Sequence, residues 1–383
     1  TAICYNSYME RLQVQKLLAN DPQAFTTLSS LGIKTRRHTK YPNLVQFTYG
    51  LIDSADVKAH PIVIECRGLI LDQDNNWNTV AFPFTRFFNF GEPGEAAIDW
   101  ASARIQEKLD GSLLIVYWYA GEWHVATKGT PDGCAQCWDS ETTFAEYFWS
   151  IVKRTNFPMD RLVPGWTYCF EITGEMTRIV TNQNGNAGTV TLLAMRDQAG
   201  CEHDVSLWAD QLPVVRHFSL SSAAEVIEAA KALDPLEQEG YVVVDRHFNR
   251  VKIKSPRYVA IHYSRFSMSQ RALLELLVTG DSSEIMTYFP DLKVRFDRLE
   301  QKLRDQGLEI DQCFAGVRAG DFSTRKEAAI YIMSNVPAKY RGAIFDMYDG
   351  KAQTGLEWLY KSKVSFLLNL MKISDKPIRG EES

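Results

Sequence analysis

The stretch EKLDGSLLIVYW, Glu107 to Trp118, decides how the chain is read. A lysine stands two residues before an Asp-Gly turn, and a long apolar strand follows at once. Lysine is mostly ammonium near neutral pH and is then a poor nucleophile. It becomes useful where burial or nearby cations favour the free amine. The turn at Asp110-Gly111 could hold such an amine at the mouth of a cleft. Alone, K-x-D-G fits a hairpin-edge lysine better than a nucleophile, because short motifs recur by chance. The surrounding sequence has to separate the two.

Downstream come an acidic strand, FEITGE (Phe170–Glu175), then EGYVVVD (Glu239–Asp245) and VKIKS (Val251–Ser255). In a strand, Lys252 and Lys254 point to one face. Two adjacent ammoniums repel unless an anion lies between or above them, and a triphosphate is one such anion. Their field would also lower the pKa of a neighbouring lysine. The plainer reading is an edge strand whose lysines discourage aggregation.

From Pro61 to about Ile261 the pattern is that of strands: PIVIECRGLILD, SLLIVYWYAGEWHVATKG, WTYCFEITG, TVTLLAMRD and GYVVVDRHFNRVKIKS. YAGEWHVATK reads as a hairpin turning at Ala120-Gly121. Met9–Asp21 has helical spacing. Ser221–Leu233 reads as a helix, with Ser222 and Glu225 at capping-box spacing. After about Ser264 the strands stop. Leu292, Phe296, Leu299 and Leu303 then form an amphipathic stripe, and helical patterns run on towards the end. The chain therefore divides into an α+β body over 1–264 and a helical domain over 265–383.

Composition narrows the class. Hydrophobic residues make up 45% and charged residues 23%, an ordinary globular balance. No apolar run is long enough for a membrane span, and the first residues lack the pattern of a signal peptide. The net charge of −5 argues against attraction of nucleic acid by the whole surface but leaves room for a local basic groove. Seven scattered cysteines fit reduced thiols in a cytoplasmic setting. Cys134 and Cys137 form a lone C-x-x-C without the second ligand pair that zinc would want.

In this order, KLDGS (Lys108–Ser112), FEITGEMTRIV (Phe170–Val180), EGYVVVD and VKIKS resemble the motifs of the covalent nucleotidyltransferases. ECRGLIL (Glu65–Leu71) and PFTRFFNFGE (Pro83–Glu92), ahead of them, narrow the resemblance to the RNA ligase 1 family of T-even phages and relatives. It spans about 61–265. The resemblance implies an ATP-grasp-like, antiparallel covalent nucleotidyltransferase core with a small N-terminal module and an all-helical C-terminal domain. It implies an ATP-dependent RNA ligase, which joins a 5′-phosphate to a 3′-hydroxyl through lysyl-AMP and RNA-adenylate, with Mg2+ or Mn2+ as cofactor. The implied partner is RNA, with cleaved tRNA (a broken anticodon loop) as one candidate, and the implied setting is a monomer in the cytoplasm, away from membranes.

By the same resemblance, Lys108 is the nucleophile, and Glu239, Lys252 and Lys254 complete the catalytic set. Arg67, Arg86, Phe88, Glu107, Gly111, Lys128, Glu171, Gly240, Lys252 and Lys254 would contact ATP, with Phe88 stacked on adenine. Glu171 and Glu239 would meet the metal, and Arg178 is a candidate partner for Glu171. Relatives commonly carry lysine where this chain has Arg86, and that exchange changes contact geometry. In the helical tail, Arg325-Lys326, Lys339 with Arg341, and Lys361 with Lys363 are candidate phosphate contacts, though such pairs are more often solvated faces. Two rivals stay open: another superfamily member (a capping enzyme or DNA ligase), and a non-catalytic RNA-binding protein on the same scaffold.

Overall fold

The apolar run after Asp110-Gly111 does form a strand, and it lies in the middle of the first of two compact units, Thr1–His262 and Tyr263–Ser383. The computed structural model describes residues 11–50, 55–137, 140–177, 188–264, 269–288, 290–320 and 322–373.

The first unit holds three sheets. One sheet is ordered β1 (Ile33–Arg37), β2 (Leu44–Tyr49), β3 (Arg67–Asp72), β4 (Asn78–Ala81). A second contains β7 (Ser112–Tyr119), β8 (Glu122–Thr127), β9 (Thr167–Thr173), β10 (Thr189–Arg196) and β11 (Glu202–His203), ordered β11-β10-β9-β7-β8. The third contains β5 (Phe88–Asn89), β6 (Arg104–Lys108), β12 (His217–Phe218), β13 (Gly240–Val244) and β14 (Arg250–Lys254), ordered β12-β6-β13-β14-β5. All strand pairs are antiparallel except β14 with β5.

Alternation along β7 explains the layering. Leu114 and Val116 face the helix Phe144–Thr155 in one core, with Phe148 and Phe170. Ile115 and Tyr117 face the other way and pack with Leu44, Ile70 and Ala81 of the first sheet. The outer face of the first sheet is covered by short helices through Val14, Leu28 and Val63. The third sheet packs Ile105, Tyr241, Val243 and Val251 against the helix Ala223–Ala232. That helix starts as its sequence suggests. Ser222 accepts from the Glu225 N–H, and the Glu225 carboxylate reaches back to Ser221.

The β7–β8 hairpin turns at Ala120-Gly121, where both residues have positive φ (50° and 86°). A two-residue turn of that kind matches the strand twist. The run PIVIECRGLILD divides: Pro61–Glu65 is a helical turn, and only Arg67–Asp72 is a strand. Pro61 stands at the first turn, where it needs no N–H partner, and the His60 ring accepts from Ile62 N. A short apolar run has no period that separates the two outcomes. The helix at the N-terminal end covers Gln13–Asn20; residues 1–10 lie outside the described residues.

In the second unit the described residues form helices throughout. The longest, Lys293–Arg318, buries Phe296, Leu299 and Leu303 along the expected stripe. Among the described residues no helix is long and apolar enough to cross a membrane.

Candidate active site

Lys108 is the last residue of β6 and lies opposite Gly240 of β13, which lies opposite Lys254 of β14. Opposed residues in antiparallel pairs share a face, so the two lysines flank a residue that has no side chain. A Cβ on Gly240 would lie 2.3 Å from the Ile253 carbonyl oxygen. Glu239, just before β13, is buried and lies between the two amines. Lys108 Nζ donates to one carboxylate oxygen at 2.7 Å, and Lys254 Nζ meets the other at 3.0 Å. Burial alone would raise the Glu239 pKa, but the two ammoniums hold it below the usual range.

The register extends the row inward. Val242 lies opposite both Gln106 and Lys252, so Lys252 shares the face of Lys254 and Lys108, as strand alternation requires. Beyond Lys108 the chain turns through Asp110-Gly111 hard against β9. A Cβ on Gly111 would be 2.3 Å from the Ile172 carbonyl oxygen, so only glycine lets the turn approach β9 there. Asp110 is buried and accepts from the Tyr258 hydroxyl at 2.9 Å.

Between this sheet and the second lies a cavity of about 220 Å³. Lys108, Gln106, Glu107, Gly111 and Val242 line one side, and Glu171, Leu113 and Leu193 the other. Phe84 and Phe87 close it with Arg67, whose guanidinium lies over both rings at 4.6 and 5.1 Å. Arg250, held by a bidentate pair with Glu202, lines it too. Two atoms of Arg67, Nε and Nη1, are buried without a hydrogen-bond partner. The cavity thus offers apolar and aromatic walls with a few convergent polar groups, the usual make-up of a small-molecule site.

Arg67 reaches the cavity because β3 carries an extra residue. Phe47 pairs with Leu69 and Thr48 with Arg67, which leaves Gly68 unpaired between them with φ 86°. This bulge turns Arg67 onto the face of Ile70, towards the second sheet. A Cβ on Gly68 would strike Ile115 at 2.6 Å.

Next to this edge stands Tyr49, with Lys128 Nζ 4.2 Å and the Arg86 guanidinium 4.4 Å from its ring centre. Burial would raise the phenol pKa, yet Arg67, Lys128, Arg86 and Lys252 together pull it down to about 8. Tyr49 was not singled out in the sequence, since nothing near YG in QFTYG points to it.

Glu171 sits on β9 opposite Leu113 and faces the cavity. Burial and the nearby Glu239 push its carboxyl up to about 8, against the pull of Lys108 and Arg67. Among the described residues no three His, Cys, Asp or Glu side chains stand together as a metal-binding group. Mg2+ takes one or two carboxylates and completes its shell with water and phosphate oxygens. Glu171 and Glu239 fit such a donor set. Cys134 is exposed and Cys137 buried, and the described cysteines form no disulfide among themselves.

The structure brings Lys108, Glu239, Gly240, Lys252, Lys254, Glu107, Gly111, Glu171 and Arg67 together, with Arg86 and Lys128 at the adjoining cationic cluster. Phe88 is placed differently. It is 2% exposed, pairs with Val251 in the third sheet and does not line the cavity, whereas Phe84 and Phe87 do. In a run rich in phenylalanine, the facing residue depends on a long-range pairing that local sequence does not record. Arg178 lies outside the described residues. In the second unit, Arg325 is committed to Asp349, Lys339 to Glu309, Lys361 to Glu357, and Arg341 to backbone carbonyls.

Residues 65–258 match the model of a family described as RNA ligase. The chain is 30% identical to a putative bifunctional polynucleotide kinase/RNA ligase of Autographa californica nuclear polyhedrosis virus, over 74% of this chain and 42% of that protein. It is 23% identical to an RNA ligase of Rhodothermus phage RM378, over 71% of this chain and 76% of that one. The chain thus spans less than half the length of the viral relative. An archaeal ATP-dependent RNA ligase structure covers 76% of this chain, and 81% of its own chain is covered, at 13% identity and a TM-score of 0.44, too low to inform the site.

Proposed function

Since this chain belongs to the RNA ligase 1 family, we propose that it is an ATP-dependent RNA ligase whose nucleophile is Lys108. The observation that carries the reading is the Lys108–Glu239–Lys254 arrangement at the head of an aromatic-walled cavity. Lys108 Nζ, once it has lost a proton, attacks the α-phosphorus of ATP. An N–P bond forms, the α–β P–O bond breaks, and pyrophosphate leaves. An oxygen of an RNA 5′-phosphate then takes the AMP from Lys108. Finally an RNA 3′-hydroxyl attacks the 5′-phosphorus, the phosphodiester forms, and AMP leaves.

Such a reaction asks the protein mainly for placement and charge. Phe84 and Phe87 offer apolar faces to the base. Lys252 and Lys254 neutralise phosphate on the face that carries Lys108, and Arg67, Arg86, Lys128 and Tyr49 receive the leaving pyrophosphate. Glu239 keeps Lys108 and Lys254 aimed at one anion position. Glu171 and Glu239 would hold a Mg2+ or Mn2+ ion, which would supply further neutralisation of the phosphates.

On this reading the first unit is the adenylyltransferase domain and the helical unit selects the RNA, with cleaved tRNA as a candidate substrate. Support for the helical unit is its position in the family pattern alone. The odd number of scattered cysteines supports a reducing, cytoplasmic setting.

The test is strand joining. RNA carrying a labelled 5′-phosphate is incubated with the protein, ATP and Mg2+, then treated with phosphatase. Label that becomes phosphatase-resistant with ATP and not with GTP supports the reading. Resistance with GTP alone, or none with folded protein, contradicts it.

A further inference from the structure

The cavity's cations do not end at Arg67. Thr48 lies opposite Arg67 in β3 and opposite Lys34 in β1, so Arg67, Thr48 and Lys34 form one row across three strands on one face. One pair further along the same face, Arg36 lies opposite Gln46, whose amide donates to the Thr127 carbonyl. Strand spacing puts Lys34 about 10 Å from Arg67 across the sheet, and Arg36 about 7 Å further along β1.

The side chains of Lys34 and Arg36 are exposed on the edge of the sheet and make no hydrogen bond or ion pair with the described residues. Their neighbours in the same segment behave otherwise. Arg37 donates to the Pro42 carbonyl and to Gln73, and Lys40 pairs with Glu122. Asp132, the carboxylate of the neighbouring loop, is taken by Thr39 and by the Cys134 N–H. Thr48 Oγ1, in the middle of the row, also has no partner. Cations meant only to protect an edge strand need no alignment with a half-buried arginine; Lys34 continues its row, and Arg36 stands one pair further along the same face.

We propose that Lys34 and Arg36 bind consecutive backbone phosphates of the RNA strand presented to the nucleotide cavity, as a track that leads from the open edge of the sheet to Arg67. The assignment to RNA rests on the ligase reading above. The track reads charge and spacing, not sequence, because exposed cations on a strand edge offer nothing to a base.

The test is the salt dependence of binding. A labelled single-stranded RNA with a 5′-phosphate is titrated with the full chain at several KCl concentrations. Three proteins are compared: wild type, the double variant Lys34→Ala/Arg36→Ala, and the charge-keeping double variant Lys34→Arg/Arg36→Lys. Losing two phosphate contacts on a single strand should make the plot of log K against log salt shallower by about 1.4. Affinity at about 0.1 M salt should fall by roughly tenfold or more. The charge-keeping variant should stay near wild type, and formation of the protein–AMP adduct from ATP should be unchanged in all three. An unchanged slope in the alanine variant overturns the proposal. So does an equal loss in the charge-keeping variant, or a parallel loss of adduct formation, which would place the pair in the nucleotide site instead. If wild type forms no adduct at all, the ligase reading fails, while the slopes still decide whether the track binds RNA.

Discussion

The Tyr258 hydroxyl donates to Asp110 at 2.9 Å, joining the turn after Lys108 to the helix Pro256–Ser264 that follows β14. Both groups are buried. Two segments that lie far apart in sequence are thereby fixed to each other, and burial keeps the phenol protonated and donating.

Tyr258→Phe removes that donor and little volume. A buried hydrogen bond to a charged group contributes about 1.5–3 kcal/mol. We expect a loss of that order in urea unfolding. Formation of the AMP adduct should slow by more than ATP affinity falls, because the turn that aims Lys108 is loosened. Equal stability and rate would show that the bond does not position the turn.

Glu239→Gln removes the anion that two lysines face. Breaking a buried ion pair on one side costs about 3–5 kcal/mol, and here Lys108 keeps some solvent contact, so the lower end is expected. The loss should shrink when a multivalent anion such as pyrophosphate is added, because it restores negative charge between the amines. Thermal melting with and without pyrophosphate reads both effects. Because its native pKa is depressed, Glu239 stabilises the wild type above the ordinary carboxylate range, and that contribution is lost as pH falls through its native value. The variant should therefore differ less from wild type at pH 3 than at pH 7.

Glu171 has the opposite sign. Its native pKa is raised from 4.5 to about 8. Over that window the native state binds the proton more tightly than the unfolded chain, so wild-type stability falls as pH rises from about 4.5 to 8. Glu171→Gln takes that loss away. In nucleotide-free, metal-free protein the variant should gain on wild type steadily between pH 5 and pH 8 and not beyond. A constant difference across the range would show that Glu171 is not held protonated.

Phe87→Ala and Phe88→Ala should part company. Phe87 lines the cavity and is only partly buried, so its loss should raise the KM for ATP and lower melting less than loss of Phe88 does. Phe88 is buried in the third sheet, and its truncation should cost about 3–5 kcal/mol of stability. The reverse outcome would return adenine stacking to Phe88.

That contrast shows where the sequence is readable. Lys108, Glu239, Lys252 and Lys254 are legible because a short motif sets each on a strand end or a strand face, and alternation does the rest. The hairpin at Ala120-Gly121 and the stripe Phe296–Leu299–Leu303 follow from local rules too. Phe84 and Phe87 are not legible, since their facing depends on where β5 pairs with β14, and β5 is only two residues long. Tyr49 is set by four cations from separate segments, and no local pattern gathers them. PIVIE reads as part of a strand and folds instead as a helical turn, set by Pro61 and His60.

The central claim is that Lys108 is the residue that takes AMP. The direct measurement is mass spectrometry of the full chain, freed of bound nucleotide, after incubation with ATP and Mg2+ and without RNA, followed by peptide mapping at neutral to basic pH. The account predicts an AMP adduct on the peptide that contains Lys108, absent in Lys108→Ala and discharged by pyrophosphate. An adduct on another lysine, or none in folded protein, would contradict it.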